Sequence, residues 1–242
     1  SSLTKLRTDL RGVDPDDAFS SLPYEKGARL VTLVEQHVGR TRFDVFIREY
    51  IDRFRFTSIT TEEFLAFLDE RLPGISHEVK AGEWLYEPGL PANAPVFRSD
   101  ALDALTALAK GWESGTRPSP AEAAAWSPTE LLVYLQNLPR KLDGASCRWL
   151  DESLALSGRG NHEILVEWLT IAAGSDHEPA FPRIREVLTR VGRMKYLRPL
   201  YGALGATPRT RQLARDIFAA ASPGYHSLSR RVVASILDKH PA

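Results

Sequence analysis

Cysteine is nearly missing from this chain: Cys147 is the single one among 242 residues. One thiol cannot close an intrachain disulfide, and with six scattered histidines it cannot assemble a structural zinc site. Its side chain reads as a small buried hydrophobe. An excess charge of either sign is also missing, since Lys plus Arg and Asp plus Glu both total 31. Without a summed positive field, neither nucleic acid nor an anionic membrane surface is expected as a partner. The longest apolar-looking stretch, Ile164 to Ala173, is broken by Glu167 and is far too short to span a bilayer. The sequence opens Ser1-Ser2-Leu3 without a methionine, and the cytoplasm is the default expectation for localisation.

Several catalytic signatures are absent as well. A helix-borne zinc site of the HExxH kind needs a second histidine four residues after the first, one turn along the same face. Three His-Glu dipeptides occur, but His77 is followed at that offset by Ala81, His162 by Val166 and His177 by Phe181. His37, His226 and His240 are too dispersed to replace it, and His226 beside Tyr225 reads as a packing histidine. The GxSxG turn of a serine nucleophile is not found, nor is a glycine-rich phosphate loop. No metal ligands are therefore assigned within this chain.

What the sequence does contain is helical periodicity over a content of 43% apolar residues, enough for one large or two smaller cores. Leu30, Leu33, Val34 and Val38 mark a helix over about 22–39, with Gly39 where a left-handed C-cap is wanted. Phe43, Phe46, Ile47, Tyr50, Ile51 and Phe54 fall on one helix face. Thr60 and Glu63 form a capping-box pattern before Phe64, Leu65, Phe67, Leu68 and Leu72, and Pro73-Gly74 closes that segment. From Trp84 to Val96, prolines and a glycine predict a junction. Beyond it, helix starts are expected before Leu102, at Ser127-Pro128-Thr129-Glu130, at Asp143 and Asn161, near Pro179, after Gly192, at Thr207-Pro208 and around Ser227. Starts every 16 to 20 residues or so predict antiparallel helices stacked in pairs as an α-solenoid. Strand candidates are confined to Leu3 to Leu10 and Pro95 to Arg98. The expected fold class is all-α.

Four ordered segments carry a family resemblance. Asp14-Pro15-Asp16-Asp17-Ala18-Phe19-Ser20-Ser21-Leu22-Pro23-Tyr24-Glu25-Lys26-Gly27, Ser58-Ile59-Thr60-Thr61, Trp84-Leu85-Tyr86-Glu87-Pro88-Gly89-Leu90-Pro91 and Gly192-Arg193-Met194-Lys195 resemble the leukotriene A4 hydrolase and aminopeptidase B branch of the M1 zinc aminopeptidases, downstream of the zinc site. The resemblance implies that residues 1–83 are the last helical part of a thermolysin-like catalytic domain, 84–97 a linker, and 98–242 a C-terminal helical domain of armadillo-like architecture. Zinc, its ligands, the general base and the groups that bind the substrate's amine would then belong to upstream polypeptide. The partners implied are a peptide substrate and those upstream domains, and the chain alone is expected to be inactive.

In that family the tyrosine matching Tyr24 donates a hydrogen bond to the oxyanion formed on attack at the scissile carbonyl. Ser20 or Ser21 can cap its helix and Pro23 sits in the first turn, which puts the phenol near the positive end of a helix dipole. The resemblance makes Arg193 and Lys195 the receptor for the substrate's terminal carboxylate. Residues two apart do not share a helix face, so the pair can converge only where the backbone is irregular or opening a helix, and Gly192 and Pro199 suggest such a junction. Asp16 matches an acid lining the peptide channel. Phe19 stands where the mammalian hydrolase has a tyrosine, which favours peptide cleavage over epoxide hydrolysis. The alternative is a non-enzymatic α-solenoid that binds acidic or C-terminal peptide tails through a cationic patch.

Overall fold

In the computed structural model of the protein, residues 2–13 and 20–239 are described. The chain divides into two compact units, Ser1–Phe97 and Arg98–Ala242, and each has its own apolar core. Among the described residues there is no strand. The strand candidates at either end of the first unit instead hold a short 3-10 turn at Ser2–Thr4 and irregular chain. There the amide of Arg7 donates to Leu85 O at 2.9 Å, an isolated bond that starts no ladder. No helix among the described residues is long and apolar enough to cross a membrane.

The first unit contains α1 (Leu22–Val38), α2 (Arg40–Phe54), α3 (Thr61–Arg71), α4 (Ile75–Glu78) and α5 (Ala81–Tyr86). Gly39 alone separates α1 from α2. Its φ of 78° and ψ of 153° lie outside the left-handed helical region the sequence suggested, but the positive φ is still one that glycine adopts without strain. Its amide closes α1 on Glu35 O and its carbonyl accepts from Phe43 N, so one residue ends one helix and begins the next. The α2 stripe buries Phe43 and Phe46, while Ile51, at one edge of the stripe, is exposed. Phe46, Tyr50 and Phe54 meet Phe67 of α3 at ring separations of 5.3 to 6.0 Å. The capping box at Thr60 and Glu63 forms in both directions. Trp84, assigned by sequence to the junction, is helical and fully buried, because the prolines that stop a helix come only after Glu87.

The second unit contains α6 (Asp100–Lys110), α7 (Pro120–Ala124), α8 (Pro128–Gln136), α9 (Gly144–Leu154), α10 (His162–Gly174), α11 (Phe181–Arg190), α12 (Met194–Ala206), α13 (Pro208–Ala221) and α14 (Ser227–Asp238). Each even-numbered helix packs on the next even-numbered one, α6 on α8, α8 on α10, α10 on α12 and α12 on α14. Among the others, α7 packs on α9 and α11 on α13. This alternation is the two-layer arrangement of an α-solenoid. The starts at Ser127, Asp143 and Asn161 are side-chain caps as expected. A further capping box at Ser119 and Glu122 opens α7, and His226 caps α14 by accepting from Leu228 N through Nδ1. Cys147 is fully buried.

Helix α10 is the densest element, with eight of its thirteen residues buried. At its end the chain passes so close to the α8–α9 connection that a Cβ built on Gly174 would lie 2.6 Å from Arg140 O. Gly174→Ala should therefore lower the unfolding free energy by about 1–3 kcal/mol through overpacking. Gly202→Ala in α12, where nothing lies within 4 Å of the added carbon, should raise it by up to about 1 kcal/mol. Urea unfolding of the two variants checks the contrast, and equal effects would refute the packing argument.

Candidate substrate-anchoring site

The start of α12 is set by local chemistry. Helix α11 ends at Arg190, Val191 is extended, and Arg193 occupies the N-cap with φ −73° and ψ 121°. Its carbonyl accepts from Tyr196 N and Leu197 N, which leaves Lys195 as the second residue of the helix. Pro199 follows the junction that it and Gly192 suggested. It lies inside α12, where it removes one intrahelical donor without stopping the helix.

Because Arg193 is extended and Lys195 helical, their side chains can reach one point from positions two apart. That point is Glu163, in the first turn of α10 behind the Asn161 cap. Lys195 Nζ lies 2.6 Å from Glu163 Oε2 and Arg193 Nη1 lies 3.6 Å from Oε1. Tyr196 completes the cluster: its hydroxyl donates to Glu163 Oε1 at 2.9 Å and accepts from Arg193 Nη1 at 3.1 Å. The Arg193 guanidinium carbon sits 5.2 Å from the Tyr196 ring centre, and His162 stacks on the same ring. Both cations remain mostly exposed, at 60% and 58% of their side chains. The Lys195 hydrogen bond is the main cause that lowers the Glu163 pKa, with Tyr196 and the two positive charges adding to it against desolvation.

Tyr24 belongs to the first unit, as the third residue of α1, and is 66% exposed. Ser21 makes no side-chain cap, and Ser20 Oγ instead accepts from Leu22 N at 3.3 Å. The turn is fixed from below by Lys26, which is buried to 3% exposure and donates to Thr4 O at 3.2 Å and Glu87 O at 2.9 Å. Desolvation lowers the pKa of that ammonium. Asp16 and Phe19 lie outside the described residues. Among the described residues, no three His, Cys, Asp or Glu side chains are grouped to hold a metal ion. The donor set of a catalytic zinc site is thus not provided by them.

Sequence reasoning missed Glu163. It appeared only as half of a His-Glu dipeptide lacking its second histidine, and its partnership with Arg193 and Lys195 spans about thirty residues that no local pattern connects. The charge pairing between two helix starts was the available signal.

Comparison with known proteins identifies the frame that carries these residues. The family model described as "Peptidase family M1 domain" matches residues 5–82, and the one described as "Leukotriene A4 hydrolase, C-terminal" matches residues 126–237. The chain belongs to peptidase family M1. Among similar M1 proteins, "Leucine aminopeptidase 2" of Yarrowia lipolytica is 31% identical over 258 residues, covering 98% of this chain and 39% of that protein. A "Leukotriene A-4 hydrolase homolog" of Botryotinia fuckeliana is 34% identical over 237 residues, covering 94% and 36%. Native leukotriene A4 hydrolase from Saccharomyces cerevisiae has a similar structure, with a TM-score of 0.79 at 26% identity, covering 98% of this chain and 42% of that one. The M1 chain described here thus spans about two fifths of the length of the relatives it matches.

The charge arrangement predicts a titration. Glu163 should protonate below the ordinary value of 4.5, so its contribution to stability is complete above that value and is lost as pH falls through the lowered one. Carboxyl carbon NMR should show this, and Lys195→Met should raise the midpoint more than Arg193→Ala does, since Lys195 supplies the largest lowering. The reverse order would contradict the geometry.

Proposed function

We propose that this chain is the C-terminal part of an M1 aminopeptidase that removes N-terminal residues from peptides. In this reading the first unit through α5 completes the catalytic domain, the proline-rich chain that follows up to residue 97 links, and 98–242 form the C-terminal helical domain. Tyr24 donates to the oxyanion, Arg193 and Lys195 receive the substrate's terminal carboxylate, and Asp16 lines the peptide channel. The observation that carries it is the convergence of Arg193 and Lys195 at the start of α12, where a guanidinium fork, an ammonium and first-turn amides together suit a carboxylate. The names of the relatives, leucine aminopeptidase 2 and leukotriene A-4 hydrolase homolog, support the same reading.

M1 peptidases are generally zinc enzymes. With no HExxH in the sequence, the zinc ligands and general base are proposed to lie in polypeptide outside this chain, and the chain by itself is expected not to turn over peptides. Exposed Val31, Val45, Ile51 and a fully exposed Phe56 in the first unit support further protein packing there. Tyr24 near the N-terminus of α1 has a phenolic donor on the positive side of the helix dipole. A preorganised donor aimed at developing negative charge contributes about 2.7–4 kcal/mol to barrier lowering in acyl-transfer sites.

In the full-length protein, Tyr24→Phe should reduce kcat by about 10²- to 10³-fold with little change in KM, measured on a peptide whose N-terminal residue is released. Arg193→Ala should instead act mainly through KM. Full activity in Tyr24→Phe would remove the phenol from the reaction, and peptide binding without turnover in the intact protein would favour a binding scaffold.

A further inference from the structure

The carboxylate already present in the cationic cluster invites the question of what it does there. Glu163 takes up one face of each cation: Nη1 of Arg193, shared with the Tyr196 hydroxyl, and one N–H direction of Lys195. Arg193 Nε and Nη2 make no hydrogen bond among the described residues. An ammonium carries three donors, so Lys195 also retains capacity. The cluster of Arg193, Lys195 and Glu163 keeps a net charge of +1, which still attracts an anion.

Two neighbouring like charges on long, mostly exposed side chains repel and sample many rotamers. A fixed carboxylate between them removes both tendencies. Glu163 can act as that fixed point because Asn161 caps the helix start by accepting from Glu163 N at 3.0 Å, and because α10 behind it is anchored in the core. Tyr196, buried to 8% exposure, ties the carboxylate to Arg193 from the other side.

We propose that Glu163 is the positioning residue of the carboxylate receptor: it holds Arg193 and Lys195 side by side, so that the Nε and Nη2 donors of Arg193 and the remaining ammonium donors of Lys195 engage one terminal carboxylate. This rests on the reading of Arg193 and Lys195 as that receptor. The alternative role for the same contacts, an internal competitor that the ligand must displace, predicts the opposite effect of neutralisation.

The test uses the full-length protein and one tripeptide in two forms, the free acid and the C-terminal amide. Glu163→Gln keeps side-chain length and a hydrogen-bond acceptor for Tyr196 while removing the charge. It should raise KM for the acid by about two- to fivefold, the scale of one exposed ion pair, with kcat and the KM of the amide unchanged. Glu163→Asp should recover part of that loss. An unchanged or lowered KM for the acid in Glu163→Gln overturns the proposal, as does an equal rise for acid and amide. Arg193→Ala run in parallel separates the two levels of inference. If it leaves the acid-to-amide ratio intact, the receptor reading itself fails; if it collapses the ratio while Glu163→Gln does not, only the role of Glu163 fails.

Discussion

The second unit depends on the burial of α10. Ile164, Leu165, Trp168, Leu169, Ile171, Ala172 and Ala173 are all at or below 1% exposure, so this helix is apolar nearly all round and has to be enclosed by others. Helices α8 and α12 supply the enclosure. Burial at this density fixes the helix along its axis as well as around it, and its polar first turn thereby becomes a stationary platform. The ionic cluster at the start of α12 inherits its geometry from that apolar packing. Trp168 illustrates the link between packing and polarity, since its ring is fully buried while its Nε1 donates to Ser157 Oγ at 3.0 Å.

Some other buried polar groups also have partners, whereas Trp84 Nε1 and the Tyr134 hydroxyl have no hydrogen-bond partner among the described residues. Tyr201 donates to Tyr225 at 3.0 Å, and Tyr225 in turn donates to Leu188 O, which connects α11, α12 and the turn before α14. Desolvation raises the pKa of both phenols, so they remain neutral donors. In the first unit, Lys26 plays the corresponding part with two main-chain acceptors, Thr4 O and Glu87 O, from segments far apart in the chain. Its burial beneath the first turn of α1 connects the surface position of Tyr24 to the interior.

Much of this was legible in the sequence where local chemistry decides structure. The cap residues Thr60, Ser127, Asp143 and Asn161 predicted helix starts because each supplies an acceptor to an otherwise unpaired amide, and each does so. Arg193 and Lys195 could be expected to converge only at an irregular backbone, and the extended Arg193 provides it. Local pattern failed where distant contacts decide. The role of Trp84 in the first core depends on what packs around it, and its neighbouring prolines suggested a linker instead. Pro199 is tolerated within α12 although its residue type argues for a break. Glu163 acquires its meaning from a partner helix, which no window of sequence around it contains.

Gly39 has one more implication. Since it alone joins α1 to α2, the angle between the two helices is governed by a single pair of backbone dihedrals. Tyr24 stands near the opposite end of α1, about 22 Å away at 1.5 Å per residue. A pivot of about 5° at that glycine would sweep the phenol through roughly 2 Å. Helix α1 is in effect a lever arm, with its fulcrum at Gly39 and its free end steadied by the Lys26 ammonium.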